Sequence, residues 1–419
     1  MCRPVTLCVL AAMLLAAGCA QAAESRAVAF PGHRALAQGD LTRRPAQGGQ
    51  ASGKAAAHEG EELDEAVLET IRAQHNLPAL AAAVVRDGRV VAVGAVGVRK
   101  AGSDVRVTAE DCFHIGSCTK AMTATLVEML VEQGRLKWSA TLAEAFPDLA
   151  DAMRPVYRKV TLRQVLAHRA GLPGGAESWP KGMSFLDVHR LPGTPRDQRR
   201  EYLGRILAQE PAATPGEKFL YSNAGYALLG AAAEKAADTP WETLMRDRVF
   251  KPLGMTSAGF GSMGTPGRID QPWQHRVENG RAVPVEPGPL SDNPASIGPG
   301  GTVHCSVGDW AKFVAAHLAG ARGRPTPLPV KDWSPLHTPA FGGDYAGGWT
   351  ATDRPWGGGR VYTHAGSNTM NYAVVWMAPL RNFAVVVATN QGGDAAPKAC
   401  DEVAAAMVRT YCPNEGSPK

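Results

Sequence analysis

Beyond its first two dozen residues this 419-residue chain has no long apolar run. The exception, Val5 to Gly18, is too short to span a bilayer, which needs about 20 apolar residues. Long blocks of one charge are also missing: the net charge of +5 is spread thinly. That argues against a nucleic-acid stripe. No H-E-x-x-H and no paired Cys-x-x-Cys occurs, so a bound metal has little support. There is no G-x-S-x-G nucleophile elbow and no internal repeat, and the α/β-hydrolase design is disfavoured accordingly.

What the N-terminus does have is a targeting signature. One Arg, the apolar run, then Ala20-Gln21-Ala22 fit a secretory signal over residues 1–22 with an A-x-A cleavage site. The rival reading is a lipoprotein anchored through Cys19, with Ala16 where such signals usually carry Leu. Either way the expectation is export, to a periplasm-like compartment that permits disulfides. Residues 23–60 read as a disordered linker, rich in Gly, Ala and Gln and without apolar periodicity. Within it, Gly48 to Lys54 imitates a phosphate-binding loop. Ala55 stands where Ser or Thr is required, and no strand precedes it, so the match is chance.

A folded domain is expected over 61–413, with 414–419 a tail. "EELDEAVLETIRAQHN" is amphipathic, with Leu63, Val67 and Ile71 on one side. Two β-rich runs flank Asp87-Gly88, a hairpin signal. "NYAVVWMAPLRNFAVVVATNQGG" repeats that pattern near the other end, and a helix follows over about 397–410. Between 120 and 320 the pattern is mainly helical. The expected class is therefore α+β: an antiparallel sheet built from both chain ends (about 61–115 and 300–413), flanked by helices, with a helical insertion over about 116–299.

Three polar outliers carry the chemistry. In "FHIGSCTKAMTATLVEMLVEQG", Ser117 and Lys120 lie three apart at the start of an apolar helix that ends near Gly134. Lysine is the wrong charge for the positive end of a helix. A base, however, needs a neutral amine, and desolvation at a helix start lowers a lysine pKa. Serine becomes a nucleophile only beside such a base. The second outlier is Tyr221-Ser222-Asn223 before another apolar helix, where Ser or Asn could simply cap. The third is His364-Ala365-Gly366 in a β-type run, where a structural His and a bulge glycine are the plain readings.

Singly these are weak. Together, in this order, S-x-x-K, Y-x-N and H-x-G resemble the serine β-lactamase and penicillin-binding-protein superfamily. The closer likeness is to its class C-like branch, with family VIII esterases and D-amino-acid peptidases. "VTLRQVLAHRAGLPG", "PGEKFLYSNAGYALLG", "VFKPLGMTSAGF", "GGTVHCSVGDWAKF" and "YAGGW" resemble family segments in family order, over about 61–410. The resemblance implies a hydrolase working through an acyl-enzyme on Ser117. Lys120 and Tyr221 would share the proton work, with either one the base, and Asn223 would offer its amide to substrate or to Lys120. The oxyanion donors would be the N–H groups of Ser117 and Ser367. Gly366 would let substrate approach the strand, and His364 would tune Tyr221 or bind a substrate oxygen. If His364 titrates in the free enzyme, the pH profile should also change between about pH 5.5 and 7.5, near an imidazole's unperturbed pKa.

Departures bear on substrate. β-Lactam enzymes commonly place Lys and Thr where this chain has His364 and Ala365, and a second glycine cluster often follows. The expected activity is thus ester or amide cleavage. A β-lactamase or DD-peptidase is the alternative, and a penicilloyl-binding scaffold without turnover is the alternative of another class. No cofactor, metal or nucleic acid is expected, and membrane attachment only through Cys19. Five cysteines follow Ala22, an odd number: Cys112, Cys118, Cys305, Cys400 and Cys412. From the family's fold, Cys118 and Cys305 are expected to be close and a bridge between them is open, the other reading being two small buried hydrophobes.

Overall fold

Asp87 and Gly88 both take positive φ, 52° and 76°, and close a two-residue hairpin between β1 (Ala79–Arg86) and β2 (Arg89–Gly97). That backbone is the mirror-image turn whose twist matches its strands. The computed structural model describes residues 63–174 and 178–413. The expected leader, linker, phosphate-loop imitation and tail lie outside the described residues.

Helix α1 (Glu65–Gln74) precedes the hairpin and is capped by Asp64, whose side chain accepts the Ala66 N–H. Its buried face is Leu68 and Ile71; Leu63 is buried just before the helix and Val67 is only half-buried. The remaining strands are β3 (Phe113–His114), β4 (Gly259–Phe260), β5 (Gln274–Glu278), β6 (Arg281–Val285), β7 (Val303–Cys305), β8 (Tyr345–Ala346), β9 (Trp349–Arg354), β10 (Gly359–Ser367), β11 (Tyr372–Ala378) and β12 (Phe383–Thr389). The main sheet runs β2-β1-β12-β11-β10-β9-β8 and is antiparallel throughout. Its centre joins the two chain ends: Leu80 pairs with Thr389 and Arg86 with Phe383. The sheet expected from both ends of the chain is the one observed.

The longer helices after α1 are α2 (Thr119–Glu132), α3 (Pro195–Leu207), α4 (Asn223–Ala237), α5 (Val307–Ala321) and α6 (Ala395–Tyr411). Alternate residues of β1 face opposite layers. Leu80, Ala82 and Val84 join α1 and α6 in one core, whereas Ala81, Ala83 and Val85 join a larger core with α2 and α5. Both faces are covered, which is why β1 and β12 are almost uninterrupted apolar runs. In the helical part, fully buried Arg199 of α3 pairs with Glu234 of α4 and, at 2.7 Å, with Glu242.

The insertion is not purely helical. The β5–β6 hairpin turns at Asn279-Gly280, with φ of 50° and 73°. This Asn-Gly pair is a hairpin signal that the helical reading of the region passed over. A small sheet, β3-β7-β4, lies in front of α2. Among the described residues no helix is long and apolar enough to cross a membrane. All five cysteines after Ala22 are buried and free, so the bridge open to Cys118 and Cys305 is not formed, and both are small buried hydrophobes.

Candidate active site

The chain reaches the site through a left-handed turn. Gly116 has φ +49°, and a single 3₁₀ turn (Gly116–Cys118) carries Ser117 into α2. Ser117 is half-buried between buried neighbours. One turn on, Lys120 is fully buried. Its Nζ lies 3.0 Å from Ser117 Oγ, 2.7 Å from Asn223 Oδ1 and 2.7 Å from the Gly300 carbonyl. Burial pulls its pKa down to about 7. The charge that looked misplaced in sequence is one the site half removes.

Tyr221 closes the other side, its ring centroid 4.7 Å from Lys120 Nζ. Burial pushes its phenol well above the usual range, and a hydrogen bond with Ser117 offsets part of that. Ser222 does not cap α4: its hydroxyl donates to the Pro173 carbonyl at 2.6 Å. Asn223, the first residue of α4, turns its amide oxygen to Lys120 instead.

His364 lies beside Tyr221. Its ring is 6.3 Å from that of Tyr221, centroid to centroid, and both nitrogens are taken. Nδ1 donates to the Ala365 carbonyl at 2.6 Å, so Nε2 is the acceptor of the Tyr345 hydroxyl at 3.0 Å. Burial first, and the charge of Lys120 second, lower its pKa to about 3. It is neutral at working pH and supplies no step between pH 5.5 and 7.5. A Cβ on Gly366 would lie 2.0 Å from the Ile115 carbonyl oxygen and 2.7 Å from Ser117 N, so the space it leaves is filled by the nucleophile turn. Ser367 is exposed, its hydroxyl donating to the Asn371 carbonyl at 2.7 Å and accepting the Thr369 N–H at 2.9 Å.

The structure therefore brings Ser117, Lys120, Tyr221 and Asn223 into contact, with Gly366 against the same turn and His364 one ring away. Three groups were missed. Gly300 lends a carbonyl, which a sequence does not advertise. Tyr345 holds His364. His168 accepts the Ser222 N–H at 3.1 Å and lies 4.4 Å from the Tyr221 ring, tilted 38° to it, burial keeping its pKa well below the normal imidazole range. Both lie in segments, "YAGGW" and "VLAHRAGLPG", whose likeness was noted without a role for these side chains. Among the described residues no group of three or more His, Cys, Asp or Glu converges as metal ligands would.

A family model described as Beta-lactamase matches residues 65–408. Penicillin-binding protein 4 of Amycolatopsis lactamdurans is 28% identical over 345 residues, covering 78% of this chain and 84% of that protein. The D-alanyl-D-alanine-carboxypeptidase/endopeptidase AmpH of Escherichia coli K12 is 30% identical over 242 residues, covering 57% of each. In fold, the octameric penicillin-binding protein homologue from Pyrococcus abyssi superposes with a TM-score of 0.67 at 24% identity, over 84% of this chain and 79% of that one. From the chain-long match and the shared architecture, this chain belongs to the beta-lactamase family of serine hydrolases.

Proposed function

We propose that this protein is an exported serine hydrolase that cleaves esters or amides through an acyl-enzyme on Ser117. The observation that carries the reading is the environment of Lys120 Nζ. A neutral amine has two N–H bonds and one lone pair. Two of its three partners, Asn223 Oδ1 and the Gly300 carbonyl, can only accept. They take both N–H bonds and leave the lone pair for the third, the hydroxyl of Ser117. A pKa of about 7 keeps a large neutral fraction at working pH, where a general base is most effective.

In this reaction Ser117 passes its proton to Lys120 as Oγ attacks the substrate carbonyl. The developing oxyanion meets the N–H groups of Ser117 and Ser367. The proton then goes to the leaving oxygen or nitrogen, from Lys120 directly or through the Tyr221 phenol, which stays protonated at rest. Water or another nucleophile repeats the sequence in reverse and frees Ser117.

The substrate is one that does not depend on a cationic anchor at position 364, since His364 is neutral and Ala365 adds only a methyl group. Peptide cleavage as in D-alanyl carboxypeptidases is the second reading, and the likeness to AmpH, named as such an enzyme, supports it. The test is intact-mass analysis with p-nitrophenyl esters, D-alanyl peptides and a chromogenic cephalosporin, with steady-state rates. An acyl adduct mapped to Ser117 and the highest kcat/KM for an ester or amide are expected. An adduct on another residue overturns the assignment. Export rests on the N-terminal signature; sequencing the mature N-terminus distinguishes a start at Ala23 from a lipidated Cys19.

A further inference from the structure

His114 and Asp292 form a buried pair behind the nucleophile turn, 0% and 4% exposed. His114 Nε2 stands 2.9 Å from Asp292 Oδ1, close, though off the line of an ideal hydrogen bond. On the other side of the ring, Nδ1 accepts the N–H of Gly116 at 3.1 Å. A ring nitrogen that accepts carries no proton, so the neutral imidazole keeps its proton on Nε2, facing the carboxylate. The Gly116 N–H, which can only donate, thus sets the tautomer, and the Nε2–H it leaves faces the Asp292 carboxylate.

The same oxygen reaches a second turn. Asp292 Oδ1 accepts the side-chain amide of Asn368 at 3.0 Å. Asn368 follows Ser367 directly, and its own oxygen takes the Met370 N–H at 3.2 Å and the Asn371 side-chain amide at 3.0 Å. Asp292 Oδ1 is thus shared by the turn that delivers Ser117 and the turn that ends β10 at Ser367. These carry the two N–H groups assigned above to the oxyanion. The segment around Asp292 also reaches the base: Asn293 donates to the Gly301 carbonyl at 2.9 Å, one residue beyond the carbonyl that holds Lys120.

Stability alone does not account for this arrangement. Asp292 Oδ2 is buried without a hydrogen-bond partner. A buried carboxylate with unmet acceptors is costly, and apolar residues of similar size commonly serve stability as well or better.

We infer that Asp292 and His114 are positioning residues that set the spacing and aim of the Ser117 and Ser367 amides. They would act on charge that develops in the transition state and leave ground-state binding alone. The inference rests on the acyl-enzyme reading above. Losing one oxyanion donor costs on the order of a hundredfold or more in kcat, so misaiming a pair should cost roughly ten- to a hundredfold.

The experiment compares Asp292→Ala, Asp292→Asn and wild type with one p-nitrophenyl ester and with phenylboronic acid, whose tetrahedral adduct imitates the transition state. Asp292→Ala is expected to lower kcat roughly ten- to a hundredfold with KM within about twofold, and to weaken the boronic acid by a similar factor. Asp292→Asn, which keeps an oxygen for both partners, should retain most of the rate. A kcat and a boronic acid affinity within about twofold of wild type for Asp292→Ala, or a change in KM alone, overturns the inference. If Asp292→Ala does not fold by circular dichroism, His114→Gln, which removes the acceptor for Gly116, is read by the same criteria. Turnover surviving in Ser117→Ala would fail the acyl-enzyme reading itself; an inactive Ser117→Ala beside an unaffected Asp292→Ala would fail only the positioning role.

Discussion

Gly116 and Gly366 meet back to back across the site. A Cβ on Gly116 would stand 2.4 Å from Ser367 N, and one on Gly366 would stand 2.7 Å from Ser117 N. Real Cβ contacts are never so short, and the atoms met are backbone, which cannot swing aside. The approach of the two amides therefore depends on two missing methyl groups. Gly366→Ala should destabilise the fold by ~1–3 kcal/mol, the usual cost of overpacking, and lower kcat by on the order of a hundredfold. Thermal melts and steady-state rates check this, with Gly288→Ala as control because nothing lies within 4 Å of its added Cβ. Equal behaviour of the two variants would contradict the account.

Removing proton-transfer groups should separate chemistry from fold. Ser117→Ala is expected to abolish turnover and any acyl adduct. Lys120→Ala and Tyr221→Phe should each lower kcat on the order of a hundredfold. Losing Lys120 also frees Asn223 Oδ1 and the Gly300 carbonyl from their shared donor. Near-normal rates in both variants would mean that another base operates.

The pH profile follows from Lys120. Only its neutral form can accept the serine proton, so kcat/KM for an uncharged ester should rise with pH, be half-maximal near pH 7 and level off above it. His364, at about 3, contributes no step in that window. Glu128, further along α2, is also pushed up to about 7 by burial, so Glu128→Gln serves as control and should leave the midpoint in place. A flat profile between pH 5 and 9 would rule Lys120 out as the titrating base.

Substrate preference should track the missing cationic anchor. Short acyl esters are expected to exceed penicillins and cephalosporins in kcat/KM. His364→Lys should raise β-lactam reactivity and move the pH midpoint down, since a second cation nearby disfavours protonated Lys120. A wild-type preference for cephalosporins over every ester would refute the reading.

The thiols give a direct chemical readout. Burial raises the pKa of Cys118 and Cys305 well above normal and that of Cys112 to about 11. A disulfide-exchange reagent needs an accessible thiolate. These thiols should stay silent in the native protein and all five should react in denaturant. A mass two hydrogens short, with two thiols unreactive after denaturation, would reveal a bridge.

Local patterns were legible in the sequence, and environments were not. Ser117 and Lys120 stood out because residues three apart share a helical face. Asp87-Gly88 stood out because few sequences tolerate two positive φ angles in succession. The helix stripe of Leu63, Val67 and Ile71 packs on one core, with Leu68 the most deeply buried residue of the helix and not picked out by the four-residue spacing. The environment of His364 was not legible for a deeper reason. Its pKa is lowered by burial first and by the charge of Lys120 second, and its Nε2 partner is Tyr345, residues that no local pattern ties to it. Of the two readings left open for Cys118 and Cys305, the structure has the small buried hydrophobes: an odd cysteine count limits the number of bridges and does not say which form. His114 and Asp292, nearly 180 residues apart, left no local trace at all.

The joining of β1 to β12 also dictates when this domain can first become stable. Arg86 pairs with Phe383 roughly three hundred residues later. At ribosomal rates of 5–20 residues per second, the N-terminal hairpin waits roughly 15 to 60 s for its partner strand. Its two apolar faces stay exposed meanwhile, and the contact order is high. Helices α1 and α6 pack side by side, so a circular permutant that links them and opens a surface loop elsewhere would turn the slowest contact into a local one. Such a permutant should keep the same native sheet and refold faster.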